Sequence, residues 1–511
     1  MPRLAYAAAG AALLGLLGGC TVGPDYQAPK PELPAAFVAQ PAADGGKATG
    51  AGKPAAVDVA RWWESFHDPE LISLIERAIA GNLDFQIALA RLQEAETFEA
   101  VVIGTSLPEI GASGAAGTGT GTDLTRGKLA PALGAADNRN GAQVVQAVGF
   151  DGGWELDLFG KLRREAEASG YDAEAASEAR NETLVTLVAD VARAYFDVRG
   201  LQMRLAALER STAAAAQTVD YVQARFDRGL TNELDLTLAK REQASLAAEI
   251  APLRAQVRAA TYSIAVLIGA YPEIVDKELA KPALLPSLPA AVDAGLPVDL
   301  LRRRPDIRQA ERELAGQTAR IGVATANLFP AVGVTGAVGW QELSVAKSVS
   351  PLIWAAGPQA SWSLLDFGTL DALVDIADLR TREALLSYRQ TVLRAVQQVD
   401  TAVDDYAAEQ DSLHNLDDAL VASQRSVTLA AQRYDRGLTD FLNVLDAQRQ
   451  EYQLEDQYAA TEQAAADALV GLYKGLGGGW EGQQSTPPIR QPQPAVVAAF
   501  TRLFAGDSAG K

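Results

Sequence analysis

The sequence contains one cysteine, two histidines and no run of about 18 apolar residues that would form a membrane-spanning helix. A single Cys excludes a disulfide bond within the chain. His67 and His414 are far apart in the sequence and form no motif, so we expect no metal site and no His-dependent catalysis. The count of Asp and Glu residues does not exclude carboxylate chemistry, but no motif suggests it, and we expect no catalytic residues, no cofactor and no enzymatic activity. Basic residues are fewer than acidic residues: the chain has 45 Lys and Arg residues and 64 Asp and Glu residues. The net charge of −19 argues against nucleic acid as a partner.

The first residues resemble a secretory signal that ends at the only cysteine. Arg3 supplies a positive charge, Leu4 to Leu17 is mainly Ala, Leu and Gly, and small residues precede Cys20. This pattern predicts a bacterial lipoprotein in which Cys20 is acylated and becomes the first residue of the mature chain. Because Thr21 is not Asp, we expect sorting to the outer membrane. The alternative is a cytoplasmic chain with an apolar start and a buried Cys.

An internal duplication defines the organisation of the chain. Residues Arg225 to Thr231 recur as Arg433 to Thr439, displaced by 208 positions (433 minus 225). The same displacement relates three further pairs: Trp154 and Trp362, Leu156 and Leu364, and Phe159-Gly160 and Phe367-Gly368. A slightly larger displacement pairs Leu107-Pro108 with Phe329-Pro330. Each half is therefore predicted to contain a helix, two strands, a very long helix, a sharp turn and a second helix.

Alternating residues predict the strands. Val332, Val334, Val338 and Trp340 fall on one face, with small or polar residues between them. This alternation suits a strand with one face towards lipid and the other towards water. The predicted strands are about 109–121, 143–158, 331–342 and 355–365.

Two long segments with few helix breakers predict the helices. Thr369 to Arg436 contains no Gly and no Pro, and Lys161 to Arg228 contains only two Gly. Apolar residues step by four and three in both segments, as in a coiled-coil seam. The seam consists of Leu184, Val188, Val191, Tyr195 and Val198, and in the second half of Val392, Val396, Val399, Val403 and Tyr406.

Four strands cannot close a barrel, and an open sheet in lipid leaves backbone groups unpaired. The chain is therefore expected to complete its sheet with copies of itself. Three copies would supply twelve strands, although physical arguments alone do not fix that number.

Several motifs, in this order, resemble the TolC family of outer-membrane efflux proteins, in its lipoprotein, OprM-like branch. They are Cys20 to Tyr26, Arg304-Pro305-Asp306-Ile307, Ile321 to Ala324, Leu365-Asp366-Phe367-Gly368, and Leu445-Asp446-Ala447-Gln448. The resemblance implies a mixed α and β membrane protein: a homotrimer with a twelve-stranded transmembrane β-barrel continued by a long periplasmic α-helical barrel. It further implies a passive exit duct for drugs or other small toxic compounds. The partners would be a periplasmic adaptor, an inner-membrane RND-type pump and outer-membrane lipid.

Two other functions stay open at this point. One is a non-channel coiled-coil envelope lipoprotein, acting as an adaptor or a scaffold. The other is the duct of a type I protein secretion system.

The duplicated turns are the first candidate site. In each, a Gly is expected to end the long helix in the left-handed conformation, and the Thr to cap the next helix. The resemblance adds that these turns form the periplasmic tip that docks on the adaptor. The residues are Arg228, Gly229, Leu230 and Thr231, and Arg436, Gly437, Leu438 and Thr439.

The second candidate site follows the second turn. Leu442 and Asp446 are four residues apart and share a helix face. The resemblance implies that they form constricting rings at a closed periplasmic gate, whereas an Asp on a helix is more commonly only solvated. Some relatives carry a second Asp where this chain has Asn443, so a doubled acidic ring is not expected.

The predicted parts of the chain are the signal peptide 1–19, an anchored linker 20–60, repeat 1 at 61–270, an equatorial connector 271–305, repeat 2 at 306–475, and a C-terminal tail 476–511.

Overall fold

A computed structural model describes residues 21–38, 59–119, 143–289, 295, 297–343 and 352–481. Cys20 and the tail beyond residue 481 lie outside these ranges. A 3-10 helix (Val59–Phe66) spans the start of repeat 1. The first repeat contains α1 (Pro69–Gly81), α2 (Leu83–Thr105), β1 (Glu109–Gly119), β2 (Gln143–Leu156), α3 (Lys161–Asp227) and α4 (Glu233–Leu267). The connector contains α5 (Pro272–Glu278) and α6 (Pro297–Arg303), and repeat 2 contains α7 (Pro305–Ala326), β3 (Ala331–Leu343), β4 (Leu352–Ser361), α8 (Thr369–Asp435) and α9 (Phe441–Gly475).

The two long helices α3 and α8 each contain 67 residues. At 1.5 Å per residue each spans about 100 Å. Within the ranges given above, no helix is both long and apolar enough to cross a membrane.

Two strands end earlier than their alternation predicts, at Leu156 and Ser361. After each strand, an Asp accepts hydrogen bonds from backbone N–H groups at the start of the following helix. Asp157 accepts hydrogen bonds from the backbone N–H groups of Leu162 and Arg163, at 3.1 and 3.0 Å. Asp366 does the same for Gly368 and Leu370. The carboxylates satisfy N–H groups that the first turn of a helix leaves free. These backbone hydrogen bonds also lower the pKa of the exposed Asp366 carboxyl.

The four strands form one antiparallel sheet in the order β1-β2-β3-β4. Pairing of β2 with β3 joins the two repeats, as in the cross-strand pair Trp154 and Val334. Strands β1 and β4 are the two edges and have no second strand partner among the described residues.

The two faces of the sheet differ in chemistry. Residues directly opposite in neighbouring strands point to the same face, so the register assigns each side chain to a face. One face carries large apolar side chains that are exposed, including Phe150, Trp154, Val338 and Trp354. The opposite face carries small and polar residues: Gly111, Ser113, Asp151, Glu155, Thr335 and Gln359.

The main core lies around the middle of α3, where helices of both repeats meet. The five seam residues of α3, Leu184 to Val198, are fully buried there. In α8 the equivalent Val392, Val399 and Tyr406 are buried, whereas the two other seam residues are partly buried. Trp62 stacks on Tyr473 with ring centroids 5.1 Å apart.

The end of each return helix contacts the residue that precedes the helix before the first strand of its repeat. The Asn82 side chain donates to the carbonyl of Leu267, and Arg304 donates to the carbonyl of Gly475. Leu267 and Gly475 are related by the displacement of 208. The duplication therefore extends to these contacts, although Asn and Arg share no chemistry beyond a donor N–H.

Both predicted terminal segments pack more closely than the sequence suggested. Residues 21–38 were predicted to be a spacer, but the side chain of Phe37 is buried among residues of α6, α7 and α8. At the other end, Leu476 and Trp480 are buried, and the indole of Trp480 donates to the carbonyl of Arg303. Apolar side chains within these polar segments account for the difference.

Candidate functional site: the two helical turns and the helix faces beside them

The two turns that join the long helices to the return helices have the same backbone conformation. Gly229 and Gly437 have φ values of 71° and 70°, in the left-handed region. In the first turn the N–H of Leu230 donates to the carbonyl of Arg225, and in the second that of Leu438 donates to Arg433, both at 2.9 Å. This bonding closes the end of each long helix.

The predicted capping role of the Thr residues is wrong. The first return helix is capped by Asn232, whose side chain accepts from the N–H of Asp235 at 2.9 Å. Asp440 occupies the equivalent position of the second helix, without a side-chain capping bond. Each turn contains one residue more than the prediction assumed, so both Thr hydroxyls are free for side-chain contacts. Thr439 accepts from the Asn443 side chain at 2.8 Å.

Exposed side chains surround both turns. Arg228 and Arg436 are exposed, and Leu230 and Leu438 each expose more than half of their surface. An exposed Leu beside an Arg at the end of a hairpin provides an apolar and charged surface for contact. Each turn presents the same surface because the whole tetrapeptide is duplicated.

A cluster that local sequence patterns do not indicate joins the two hairpins above these turns. Tyr434 is buried, and its hydroxyl lies 3.1 Å from the Thr231 hydroxyl and 3.3 Å from Oδ2 of Asp235. The guanidinium of Arg225 lies 4.9 Å from the centroid of the Tyr434 ring. Burial is the main cause that raises the pKa of the Tyr434 phenol, so this hydroxyl stays protonated and can donate.

A second set of contacts at the same end involves Asp435. The hydroxyl of Tyr221 donates to Oδ1 of Asp435 at 2.7 Å, and Arg225 approaches the same oxygen at 3.3 Å. Tyr221 and Arg225 belong to α3, whereas Asp435 ends α8. The two hairpins are therefore held together by side chains from both long helices.

Leu442 and Asp446 lie together on the open side of α9. Both are exposed, whereas Phe441, Val444 and Leu445 on the other side of the same helix are buried. This arrangement leaves an apolar side chain and a carboxylate free to face a space outside the chain.

Arg449, one turn further along α9, joins this helix to α4. Its guanidinium donates from Nε to Oε2 of Glu242 at 2.8 Å, and a second guanidinium nitrogen contacts the same carboxylate oxygen. Nearer the equator, Arg204 of α3 makes two bonds to Asp456 of α9, at 2.7 and 3.0 Å. Hence the helix that carries Leu442 and Asp446 is fastened to the first hairpin by charged pairs.

No group of three or more His, Cys, Asp or Glu residues with a geometry for metal binding occurs in the part of the chain that the structure describes. Near the turns, the ion pairs Arg225–Asp435 and Arg449–Glu242 join helices of different hairpins.

Comparison with known proteins identifies the family. A sequence profile described as "Outer membrane efflux protein" matches residues 74–270 and 296–478. Nodulation protein T of Rhizobium leguminosarum bv. trifolii is 31% identical over 469 residues, which cover 91% of this chain and 96% of that protein. The antibiotic efflux pump outer membrane protein ArpC of Pseudomonas putida is 28% identical over 474 residues, 91% of this chain and 94% of its own length.

Solved structures agree with this fold. The outer-membrane channel OprN superimposes with a TM-score of 0.79 at 35% identity, covering 90% of this chain and all of that one. The open state of the MtrE outer membrane channel of Neisseria gonorrhoeae gives a TM-score of 0.73 at 26% identity, covering 90% of this chain and 99% of that one. The fold is that of TolC-like outer-membrane channels, and the resemblance seen in the motifs is confirmed. The chain belongs to the outer membrane efflux protein family.

Proposed function

We propose that three copies of this chain form the outer-membrane exit duct of a tripartite efflux pump, anchored by a lipid on Cys20. The four-stranded sheet of each copy contributes to one twelve-stranded barrel in the membrane, and the helices continue it as a periplasmic tube. The observation that carries the proposal is the sheet itself, which has an exposed apolar face and two edge strands without a second strand partner in the described part of the chain.

The sheet edges support assembly with further copies. In lipid, an edge strand leaves N–H and C=O groups without partners, at a cost of several kcal/mol for each group. Pairing of β4 with β1 of a second copy would repeat the β2–β3 pairing that joins the two halves of the chain. This contact is heterologous, and repetition around an axis closes it into a ring.

The duplication specifies which residues would meet between copies. Within the chain, Phe159 stacks on Phe329 with ring centroids 4.7 Å apart. The equivalent residues of the duplicate are Phe367 and Leu107, which are 97% and 60% exposed. We infer that Phe367 of one copy packs on the Leu107 position of the next.

The long helices support the same arrangement. Within the chain α7 packs against α3, partly through the ion pairs Arg308–Glu178 and Arg312–Glu174. Their duplicates, α2 and α8, instead expose apolar side chains that would cover one another between copies. These are Leu83, Ile87, Phe98 and Val101 of α2, and Leu373, Ile376, Leu379, Leu386 and Leu393 of α8.

In this assembly the chain is a passive conduit and needs no cofactor. The turns at Arg228–Thr231 and Arg436–Thr439 are the proposed docking surface for a periplasmic adaptor, and an inner-membrane RND-type pump supplies the energy. Leu442 and Asp446 form the proposed constriction. Relatives named for antibiotic efflux and for cation efflux match 91% of this chain at 28% and 27% identity, which supports small toxic compounds as cargo without specifying one.

Purified full-length chain in detergent and in planar bilayers tests the proposal. A duct should give a trimer by native mass spectrometry and single-channel currents after reconstitution. A coiled-coil scaffold lipoprotein would instead be a monomer or a dimer and would give no current. Mass spectrometry of the N-terminal peptide would separately report whether Cys20 carries a lipid.

A further inference from the structure

The residues that follow Cys20 are bound at the junction between the sheet and the long helix of repeat 1. The N–H of Val22 donates to the carbonyl of Phe159 at 3.1 Å. Four residues later, the hydroxyl of Tyr26 lies 3.1 Å from Oε1 of Glu311 in α7. Residues 21–26, hereafter the N-terminal strap, therefore contact both α7 and the start of α3.

Arg164 is the centre of these contacts. Its side chain is only 5% exposed. The guanidinium donates to the carbonyls of Val22 and Gly23 at 3.2 and 3.3 Å, and to Oδ1 of Asp25 at 2.6 Å. A fourth bond reaches Oε2 of Glu167 at 2.7 Å. A buried guanidinium stays charged and needs partners for its N–H donors. Three of the four bonds are made with the strap, so the strap supplies most of the partners of Arg164.

Two glycines allow the strap to approach α7 and the start of α3 closely. Gly23 has a φ of 88°, and a Cβ atom there would collide with the backbone of Gly322 in α7. Gly160 has a φ of 80°, and a Cβ atom there would lie 2.8 Å from Cα of Thr21. Any side chain at Gly23 would thus push the strap away from α7.

The second repeat shows that the strand-to-helix turn does not itself require this arginine. Gly368, the duplicate of Gly160, has the same φ of 80° but has no atom within 4 Å of its would-be Cβ. The duplicate of Arg164 is Ala372. The buried arginine is therefore specific to the junction that holds the strap.

We propose that Arg164 and the Gly23–Gly322 contact form a clamp that fixes the lipid-bearing end of the chain beside the sheet, so that membrane anchoring promotes insertion of the strands. This inference rests on the proposed acylation of Cys20. The partner is a lipid surface, the inner leaflet of the outer membrane, and Arg164 is a positioning residue.

Chain geometry explains why a clamp matters. Thr21 follows Cys20 directly, and it contacts Gly160, four residues after the end of β2. If the six strap residues were released, the lipid could move away from this junction by up to about 20 Å. That distance is about two thirds of the hydrocarbon thickness of a bilayer, so the released anchor would hold the strands much less closely to the membrane surface. A fixed, short tether raises the effective concentration of the strands there.

The test is a double-mutant cycle in a Gram-negative host that acylates lipoproteins. Pulse-labelled full-length chain is followed into the assembled outer-membrane form, measured as the species whose gel mobility changes on heating. With Cys20 present, Arg164→Gln and Gly23→Val should each slow assembly by about tenfold, a ratio that one lost charged hydrogen bond can produce. In a Cys20→Ser background, where no lipid is attached, the same changes should alter the rate less than about twofold.

Arg163→Gln is the matched control, because Arg163 is adjacent and half-exposed and forms an ion pair with Asp157. It should assemble at the wild-type rate in both backgrounds. Equal slowing by Arg164→Gln with and without Cys20 would show that Arg164 only stabilises the fold, and would overturn the clamp. Normal assembly of the acylated Gly23→Val chain would also overturn it. Absence of a lipid from the wild-type N-terminal peptide would instead refute the proposed anchoring itself.

Discussion

The hydroxyl of Tyr434 lies 3.3 Å from Oδ2 of Asp235, and the two residues belong to different helical hairpins. The bond joins the last turn of α8 to the first turn of α4. If the second hairpin moves away from the first when the duct opens, this contact must break. Its position therefore makes it a candidate latch for the closed state.

We expect Tyr434→Phe to raise the basal current of the reconstituted channel severalfold. The ring is kept, and the contacts of its hydroxyl with Thr231 and Asp235 of the other hairpin are lost, at about 1 kcal/mol for each hydrogen bond. Single-channel recording without adaptor or pump measures the effect. Tyr262→Phe is the control, because Tyr262 lies near the opposite end of α4. A wild-type current in a correctly assembled Tyr434→Phe trimer would contradict the latch.

A second prediction concerns the proposed constriction. Asp446→Ala should raise basal conductance and reduce the binding of cations at the closed end, because a ring of crowded carboxylates is removed. Conductance is compared with that of Asp418→Ala, an exposed carboxylate of α8. Should both variants conduct like the wild type, Asp446 is only a solvated surface residue.

The order of the elements was predictable because the duplicated signals are local. Glycine turns, tryptophans and alternating strands recur at a fixed displacement, so each copy supports the interpretation of the other. The Tyr434–Asp235 bond was not predictable, since 199 residues separate its partners and nothing in either segment identifies the other. The docking role of the turns and the gating role of Leu442 and Asp446 stay predictions.

The packing of the strap was not predicted, for a different reason. Its residues were assigned to the linker 20–60, most of which is rich in Pro, Ala and Gly, and composition does not report that glycine allows close backbone contact. Arg164 gave no signal either, because an arginine near the start of a helix is usually solvated. Only the fold shows that Arg164 binds residues about 140 positions earlier.

A third prediction addresses the docking surface. Leu230→Asp combined with Leu438→Asp should abolish crosslinking to the adaptor and efflux in cells, while the trimer and its basal conductance persist. Both side chains are exposed, so their replacement should change the stability of the fold little. A carboxylate buried in the interface with the adaptor would instead weaken binding. Leu393→Asp, on an exposed site of α8 proposed to face another copy, should instead impair the trimer. Undiminished adaptor crosslinking in the double variant would refute docking at the turns.

A fourth prediction follows from the duplicated aromatic contact. Phe367→Cys and Leu107→Cys in the same chain should crosslink between copies with a short thiol reagent and give bands of dimers and trimers. The wild-type chain has a single Cys, which the proposed lipid would occupy, so background crosslinking should be low. Each single variant serves as a control. Crosslinks confined within one chain would contradict head-to-tail assembly.

The last prediction concerns a buried carboxyl group of α9, that of Asp467. Burial, followed by repulsion from Asp197, raises the pKa of Asp467 from 3.8 to about 7. Oδ1 of Asp467 has no hydrogen-bond partner, and the nearby Gln463 side chain donates to Asp197 at 2.5 Å. Between these two pKa values the folded chain keeps a proton that the unfolded chain releases, so this group makes stability fall as pH rises across that interval.

Asp467→Asn removes the titration and keeps the size of the side chain. Its unfolding temperature should exceed that of the wild type most clearly at about pH 8, and the difference should shrink towards about pH 5, where the wild-type carboxyl is protonated in the fold. Thermal unfolding of the detergent-solubilised protein across this range measures both curves. Asp375→Asn, on the exposed face of α8, should run parallel to the wild type. If the Asp467→Asn curve also ran parallel, the carboxyl would be solvated in the assembled tube, and water in the duct would have to reach the contact between α3 and α9.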